Sequence, residues 1–311
     1  MERIYSCIDE AQKGIIQAIL DEGSSASPRN RPTREILNFN FTIVNPLNRI
    51  LTLTNRRWSL PLAIGELCWH LSANDDAESI SYYAKKWLES ANDKGVIEQS
   101  SYGKRIFGIK DGRSQWSSLV ETLKTDPFSR RAMVFLGKPA GHEDAFSTDI
   151  SCTTSFQFFI RNNSLEMIVS MRSNDAIYGV PYDVFFFTFL QEMMAKTLNL
   201  ELGNYHHNAA SMHIYNDKFK VAKGILNSES DQFLSMMPLP SLHGLKDLIY
   251  SEKAIREMGC YPKVNRCDYW QFLIEVLWNY RKIKSNDNNY NLSTDNPYKK
   301  IFYNYAAYRN V

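Results

Sequence analysis

Two apolar runs, Ser155–Ile160 and Leu165–Met171, stand on either side of an Asn162-Asn163 pair. Their Phe, Ile and Val content and the turn-forming asparagines predict a β-hairpin. Cys152 lies just before its first strand, and Arg172, Ser173, Asn174 and Asp175 follow its second. A thiol nucleophile, an anion-binding guanidinium and a carboxylate are thereby expected at one end of a rigid hairpin, where catalytic groups are usually held. The most hydrophobic segment, VFFFTFLQEMMAKTLNL from Val184, comes soon after. Its length and lack of strand punctuation predict a buried central helix, ended by Gly203 and with Asp183 at its start. An acid there serves as an N-cap or sits in the positive end of the helix dipole.

The rest of the pattern is mixed. Apolar spacing predicts a helix over Tyr5–Leu20, stopped by Gly23. Residues 24–35, SSASPRNRPTRE, read as a surface loop carrying Arg29, Arg31 and Arg34. It is either a solvated linker or an anion-binding loop, because the planar fork of arginine suits phosphate. Residues 36–54 look like strands interrupted at Pro46. Pro61 opens an apolar helix over 62–71 that contains Glu66. That carboxylate is either at an amphipathic edge or buried, and a buried carboxylate is suited to proton transfer. Ser79–Ala91 reads as an amphipathic helix with Trp87, and Trp116–Lys124 as another. Ser129-Arg130-Arg131 precedes the apolar strand AMVFLG, and adjacent strand residues point to opposite faces. A strand over 204–215 carries His206, His207, His213 and Tyr215, and a strong amphipathic helix spans 267–282. His206 and His207 fall on opposite strand faces and make a poor metal pair.

Composition narrows the class. The 311 residues are 44% hydrophobic and 13% aromatic, ample for a core in one large domain or two small ones. A net charge of +2 is too small to draw nucleic acid or a membrane surface by bulk electrostatics, so anion binding falls to a few placed arginines. Five scattered cysteines show no zinc spacing and fit a reduced, cytoplasmic chain; no metal is expected. No run approaches the about 18 apolar residues of a membrane span, and MERIYSCIDEAQKG is no signal peptide. Internal repeats, a Gly-rich phosphate loop, a Ser/His/Asp signature and nucleic-acid motifs are lacking.

Taken in order, these residues resemble the thymidylate synthase superfamily. The arginine loop, Glu66-Leu-x-Trp69, Tyr102-Gly103, Ser129-Arg130-Arg131, Cys152 before its hairpin, Arg172-Ser173-x-Asp175, Gly179-x-Pro181 and His213-x-Tyr215 follow the family's sequence of motifs. The resemblance covers most of Arg29 to Tyr215. It implies an α/β (α+β) fold with a large mixed sheet packed against helices and a sheet face forming a homodimer interface. It implies a single catalytic domain over 1–311, divergent after about residue 220. It also implies roles. Cys152 would attack C6 of a pyrimidine nucleoside monophosphate, so that C5 captures a one-carbon unit from 5,10-methylenetetrahydrofolate; nearby arginines would lower its pKa. Arg29, Arg172 and Ser173 would hold the 5′-phosphate, and Arg130 and Arg131 the phosphate of the other subunit. His213 and Tyr215 would bind the sugar hydroxyl. Glu66 would organise water and protons, Tyr102 would assist proton removal from C5, and Asp175 and Trp87 would lie against the folate.

The departures from the family pattern are specific. After Gly-x-Pro, thymidylate synthases carry an aromatic residue and an Asn that reads uracil; here stand Tyr182 and Asp183. A carboxyl group accepts from the cytosine amino group and shares a proton with N3, whereas it faces uracil O4 with no donor. Aspartate here, Met171-Arg172-Ser173-Asn174-Asp175 and Cys152-Thr153 resemble the viral deoxycytidylate hydroxymethylases. The expected reaction is therefore folate-dependent 5-hydroxymethylation of a cytidine monophosphate, dCMP favoured and CMP possible. The alternatives are a thymidylate synthase methylating dUMP and a non-catalytic nucleotide-binding homologue. The chain ends AAYRNV, and whether Val311 helps to close over folate is open.

Overall fold

A mixed sheet of eight strands dominates the computed structural model, which describes residues 3–137, 147, 149–231, 234–262 and 267–307. Its strands are β1 (Ile4–Tyr5), β2 (Ser24–Ala26), β3 (Thr33–Ile43), β4 (Met133–Phe135), β5 (Thr153–Arg161), β6 (Ser164–Met171), β7 (Asn174–Asp175) and β8 (Glu201–Tyr215). The helices are α1 (Ile8–Glu22), α2 (Leu60–Leu71), α3 (Ala77–Ser81), α4 (Tyr102–Phe107), α5 (Gln115–Thr125), α6 (Gly179–Leu198), α7 (Phe219–Leu226), α8 (Leu245–Lys253), α9 (Asp268–Lys284) and α10 (Lys299–Ala307). Val311 and the end of the AAYRNV tail lie outside the described residues.

The chain divides into two compact units. The first, Met1–Arg56 with Asp111–Pro238, holds the sheet in the order β1-β3-β8-β6-β5-β4, with β2 on β3 and β7 on β8. The hairpin is as the sequence predicts: β5 and β6 pair antiparallel from Arg161 opposite Ser164. Asn162 and Asn163 turn it at φ 50° and 61°, the left-handed pair of a tight two-residue loop. Strand β6 alternates half-buried and buried residues along its length, the mark of a sheet covered on one face.

Helix α6 covers that face, packing on β6 and β8. Its Phe185, Phe187 and Phe189 are fully buried, and Phe187 meets Phe156 of β5 with ring centroids 5.8 Å apart. Each such ring contributes roughly 1.5–3 kcal/mol by leaving water. Gln191 fixes α6 to the sheet edge-on: its Nε2 donates to the carbonyls of Leu165, Gly203 and Asn204 at 2.9, 3.1 and 3.0 Å.

Several boundaries differ from expectation. Helix α6 begins at Gly179, so Asp183 stands in its second turn and no acid occupies the first. Pro181 is tolerated because first-turn N–H groups have no helical partner. The helix ends at Asn199, left-handed at φ 55°, while Gly203 lies inside β8. A Cβ on Gly203 would meet Glu166 Oε1 at 2.7 Å, so this glycine serves strand packing. The arginine loop is partly a strand, β2 pairing antiparallel with β3, and β3 is one uninterrupted strand that ends before Pro46.

The second unit, Arg57–Lys110 with Leu239–Val311, is helical, with α2 contacting α3, α4, α8, α9 and α10. The helix expected over Ser79–Ala91 is instead α3 followed by a 3₁₀ segment, Lys85–Ser90, broken at Ala84, which is extended at φ −145°.

Candidate active site

In the first unit, Cys152 and Arg172 flank the last pair of the hairpin, Thr153 opposite Met171, and Arg172 N donates to Cys152 O at 2.9 Å. The guanidinium is fixed by its own hairpin: Nε donates to Ser151 O at 2.9 Å and Nη2 to Ile150 O at 3.0 Å. From there Nη2 reaches Cys152 Sγ at 3.8 Å. The arginines are expected to lower the thiol pKa, but burial outweighs their pull. Burial pushes Cys152 up, Arg172 pulls it down, Asp183 pushes it up, Arg29 pulls it down and Asp149 pushes it up; the balance lies above the ordinary thiol value.

The groups expected to hold phosphate and sugar come from four elements. Arg29 sits in a 3₁₀ turn, Pro28–Asn30, at φ 54° beside Asn30 at 58°. Two successive left-handed residues hold that exposed side chain at the loop tip. Arg31 lays its guanidinium carbon 3.9 Å from the centroid of the Tyr215 ring, because Thr33 pairs with Tyr215 in the sheet. Arg34 instead donates to Gly23 O at 2.8 Å and is structural. Strand β7 lies parallel to β8 with Asp175 beside His213. Ser173 Oγ is thereby 3.4 Å from His213 Nδ1, and the His213 ring stands edge-on to Tyr215 at 5.1 Å. Burial holds His213 below its ordinary pKa, against the upward pull of Asp175.

The two aspartates differ in what holds them. Asp175 Oδ1 accepts from the N–H groups of Ile177 and Tyr178 at 2.8 and 3.0 Å, closing the turn into α6. Asp183 Oδ2 accepts from Asn174 Nδ2 at 2.7 Å. Its charge raises both Cys152 and Tyr205. The Tyr205 hydroxyl in turn is 2.9 Å from His207 Nδ1, and burial depresses the His207 pKa to about 3, so the ring is neutral. Sequence reasoning assigned no role to Asn174, Asp149 or Tyr205. Only Asn174 had a signal, its place inside the Arg172–Asp175 motif.

Arg130 and Arg131 are both exposed and line a cavity of about 680 Å³ with Arg113, Thr122, Asp126 and Phe128. Cys152 and Arg172 are not among its lining residues.

The second unit gathers the other expected residues. Glu66 on α2 is half-buried, with Oε1 3.8 Å from His70 Nε2 one turn on. His70 stacks on Tyr102 at 5.3 Å and 10°, and its Nδ1 accepts from Gly103 N at 3.3 Å. Gly103 is required there, since a Cβ would lie 1.8 Å from His70 O. Trp69 and Trp87 face one another at 5.5 Å. Among the described residues no His/Cys/Asp/Glu group is arranged for a metal, and no helix is long and apolar enough to cross a membrane.

A family model described as Thymidylate synthase matches residues 11–265. The thymidylate synthase of Francisella philomiragia is 25% identical over 225 residues, 68% of this chain and 82% of that one. The deoxyuridylate hydroxymethyltransferase of Bacillus phage SP01 is 27% identical over 236 residues, 70% of this chain and 61% of that one. Among solved structures, thermostable thymidylate synthase A from Bacillus subtilis aligns with a TM-score of 0.61 at 24% identity, over 73% of this chain and 86% of that one.

Proposed function

Because the chain belongs to the thymidylate synthase family, and is thus a one-carbon transferase acting on a pyrimidine nucleotide, we propose that it hydroxymethylates C5 of a cytidine monophosphate, dCMP ahead of CMP. One observation carries the base choice. Asp183, in the second turn of α6, accepts from Asn174 on one oxygen, and its charge acts on Cys152. An acceptor-only group beside the nucleophile matches the amino group of cytosine and opposes the O4 of uracil. The phage relative, named for a hydroxymethyl transfer, supports the terminal step.

In this reading Arg172, Ser173 and Arg29 take the 5′-phosphate, and His213 and Tyr215 the sugar hydroxyl. Arg130 and Arg131 serve the partner's phosphate in a homodimer formed through the open sheet face, on which Phe159 and Ile168 are half-buried. The Cys152 thiolate adds to C6, which makes C5 a nucleophile toward the one-carbon unit. The family's co-substrate, 5,10-methylenetetrahydrofolate, supplies that carbon. In this reading Asp175 and Trp87 are the residues that contact the folate. Tyr102 assists removal of the C5 proton, and Glu66 orders water. Breaking of the carbon–nitrogen bond to the folate, with loss of the C5 proton, leaves an exocyclic methylene. Water then adds to it and gives up a proton to solvent, as the C5–C6 double bond re-forms and the C6–S bond breaks to release the Cys152 thiolate. Residues 1–311 act as one catalytic domain, divergent after about 220, in a cytoplasmic enzyme.

The test is the mass of the product made from dCMP, CMP and dUMP with the folate. The proposal expects the gain of a hydroxymethyl group on the cytosine substrates. A methyl gain on dUMP alone would establish the second reading, a thymidylate synthase, which the relatives of that name favour. Failure to release tritium from C5 of any labelled nucleotide would mark a non-catalytic homologue.

A further inference from the structure

Asn174 is 3% exposed and aimed at Asp183. Its Nδ2 donates twice, to Asp183 Oδ2 at 2.7 Å and to Met171 Sδ at 2.8 Å. Both partners are acceptors, a carboxylate and a thioether. The amide is therefore fixed in one orientation: turned over, its oxygen would face two acceptors and lose a charge-assisted bond. Its Oδ1 is buried without a partner among the described residues. Gly179 makes room for the arrangement. A Cβ there would lie 3.3 Å from Asp183 Oδ2 and 3.6 Å from both polar atoms of the Asn174 amide.

We propose that Asn174 is a positioning residue for base selection: its amide pins one oxygen of Asp183, so that the carboxylate presents an acceptor edge that takes an amino-bearing pyrimidine and turns away a 4-oxo one. The inference rests on the reading that Asp183 faces the base. It deepens that reading by assigning the selectivity to a pair of residues rather than to one. In Asn174→Asp two carboxyl groups face one another: while both are ionised they repel and the pinning donor is lost, and once one is protonated it donates to the other as the amide does.

The experiment measures Kd and kcat/KM for dCMP and dUMP on wild type, Asp183→Asn, Asn174→Ala and Asn174→Asp. The ratio of the two substrates is read within each preparation, so a lower folded fraction cancels. Loss of one charge-assisted hydrogen bond corresponds to about a tenfold fall in the dCMP:dUMP ratio for Asn174→Ala, mostly through KM for dCMP. Asn174→Asp is expected to lower the ratio where both carboxyl groups are ionised and to return toward the wild-type ratio as pH falls, because protonation restores the donor to Asp183. If wild type prefers dCMP and Asp183→Asn reverses it, while both Asn174 variants keep the wild-type ratio at every pH, the role of Asn174 is overturned and the base reading stands. If wild type itself prefers dUMP, both fall. Asn174→Asp covers the case in which Asn174→Ala does not fold, since it keeps the side-chain shape.

Discussion

Burial raises the Cys152 thiol and the Tyr205 hydroxyl, and the negative charge of Asp183 adds to both. For Cys152 the opposing charge is Arg172, whose guanidinium is tied to the carbonyls of Ile150 and Ser151 and so stays within 3.8 Å of the sulfur. Burial tips the balance toward the thiol. Alkylation of Cys152 by iodoacetamide is therefore expected to be slow at neutral pH and to rise with pH past the range of an ordinary thiol. Arg172→Ala removes the larger lowering charge and should slow it at pH 7; Asp183→Asn removes a raising one and should speed it. The label is read by peptide mass at Cys152, because Cys260 and Cys267 are exposed and react too. Equal rates in the two variants would contradict this electrostatic account. At this scale the sequence was informative about chemical types: a thiol, a guanidinium and carboxylates in one stretch. The net direction of the Cys152 shift was hidden, because burial depends on what folds over the sulfur, and sequence spacing carries no such quantity.

At the scale of elements, the hairpin is the best-specified part. Asn162 and Asn163 both adopt the left-handed region that their short polar side chains tolerate. Asn163→Val is expected to cost about 1–2 kcal/mol and Asn163→Gly close to nothing, measured as shifts in the urea midpoint. Equal midpoints for the two would show that the turn does not hold the register. Such local chemistry is legible from residues alone, and the capping of α3 by Asp76, whose side chain accepts from Ser79 N at 2.8 Å, belongs to the same kind. Tertiary contacts were not legible. Trp87 has helical spacing in the sequence, but it lies in a 3₁₀ segment where its ring meets Trp69. Gly203 looked like a helix stop, and its actual constraint is the Glu166 side chain of a neighbouring strand. The left-handed Asn199 ends α6 instead.

On the scale of the whole molecule, the ordered motifs were enough to expect the mixed sheet and the family, since each motif keeps its place along the chain. Their convergence was not derivable from spacing. Strand β7 is only two residues long, yet its pairing with β8 sets Ser173 beside His213 and leaves Asn174 against Asp183. Dimerisation is testable through the exposed arginines. An unfolded and refolded mixture of Cys152→Ser with the double variant Arg130→Ala/Arg131→Ala should recover activity that neither parent has, if each subunit lends its arginines to the other. A mixture as inactive as its parents would assign those arginines to their own subunit or to no phosphate at all. The central claim, that the edge of a cytosine is read by Asp183, is met most directly by competition. Equimolar dCMP and dUMP are offered together with methylenetetrahydrofolate, and the two products are separated and weighed by mass spectrometry. The account predicts hydroxymethylated dCMP as the dominant product of the wild type and a swing toward the dUMP product in Asp183→Asn. A wild type that consumes dUMP first, or an Asp183→Asn variant with an unchanged product ratio, would contradict it.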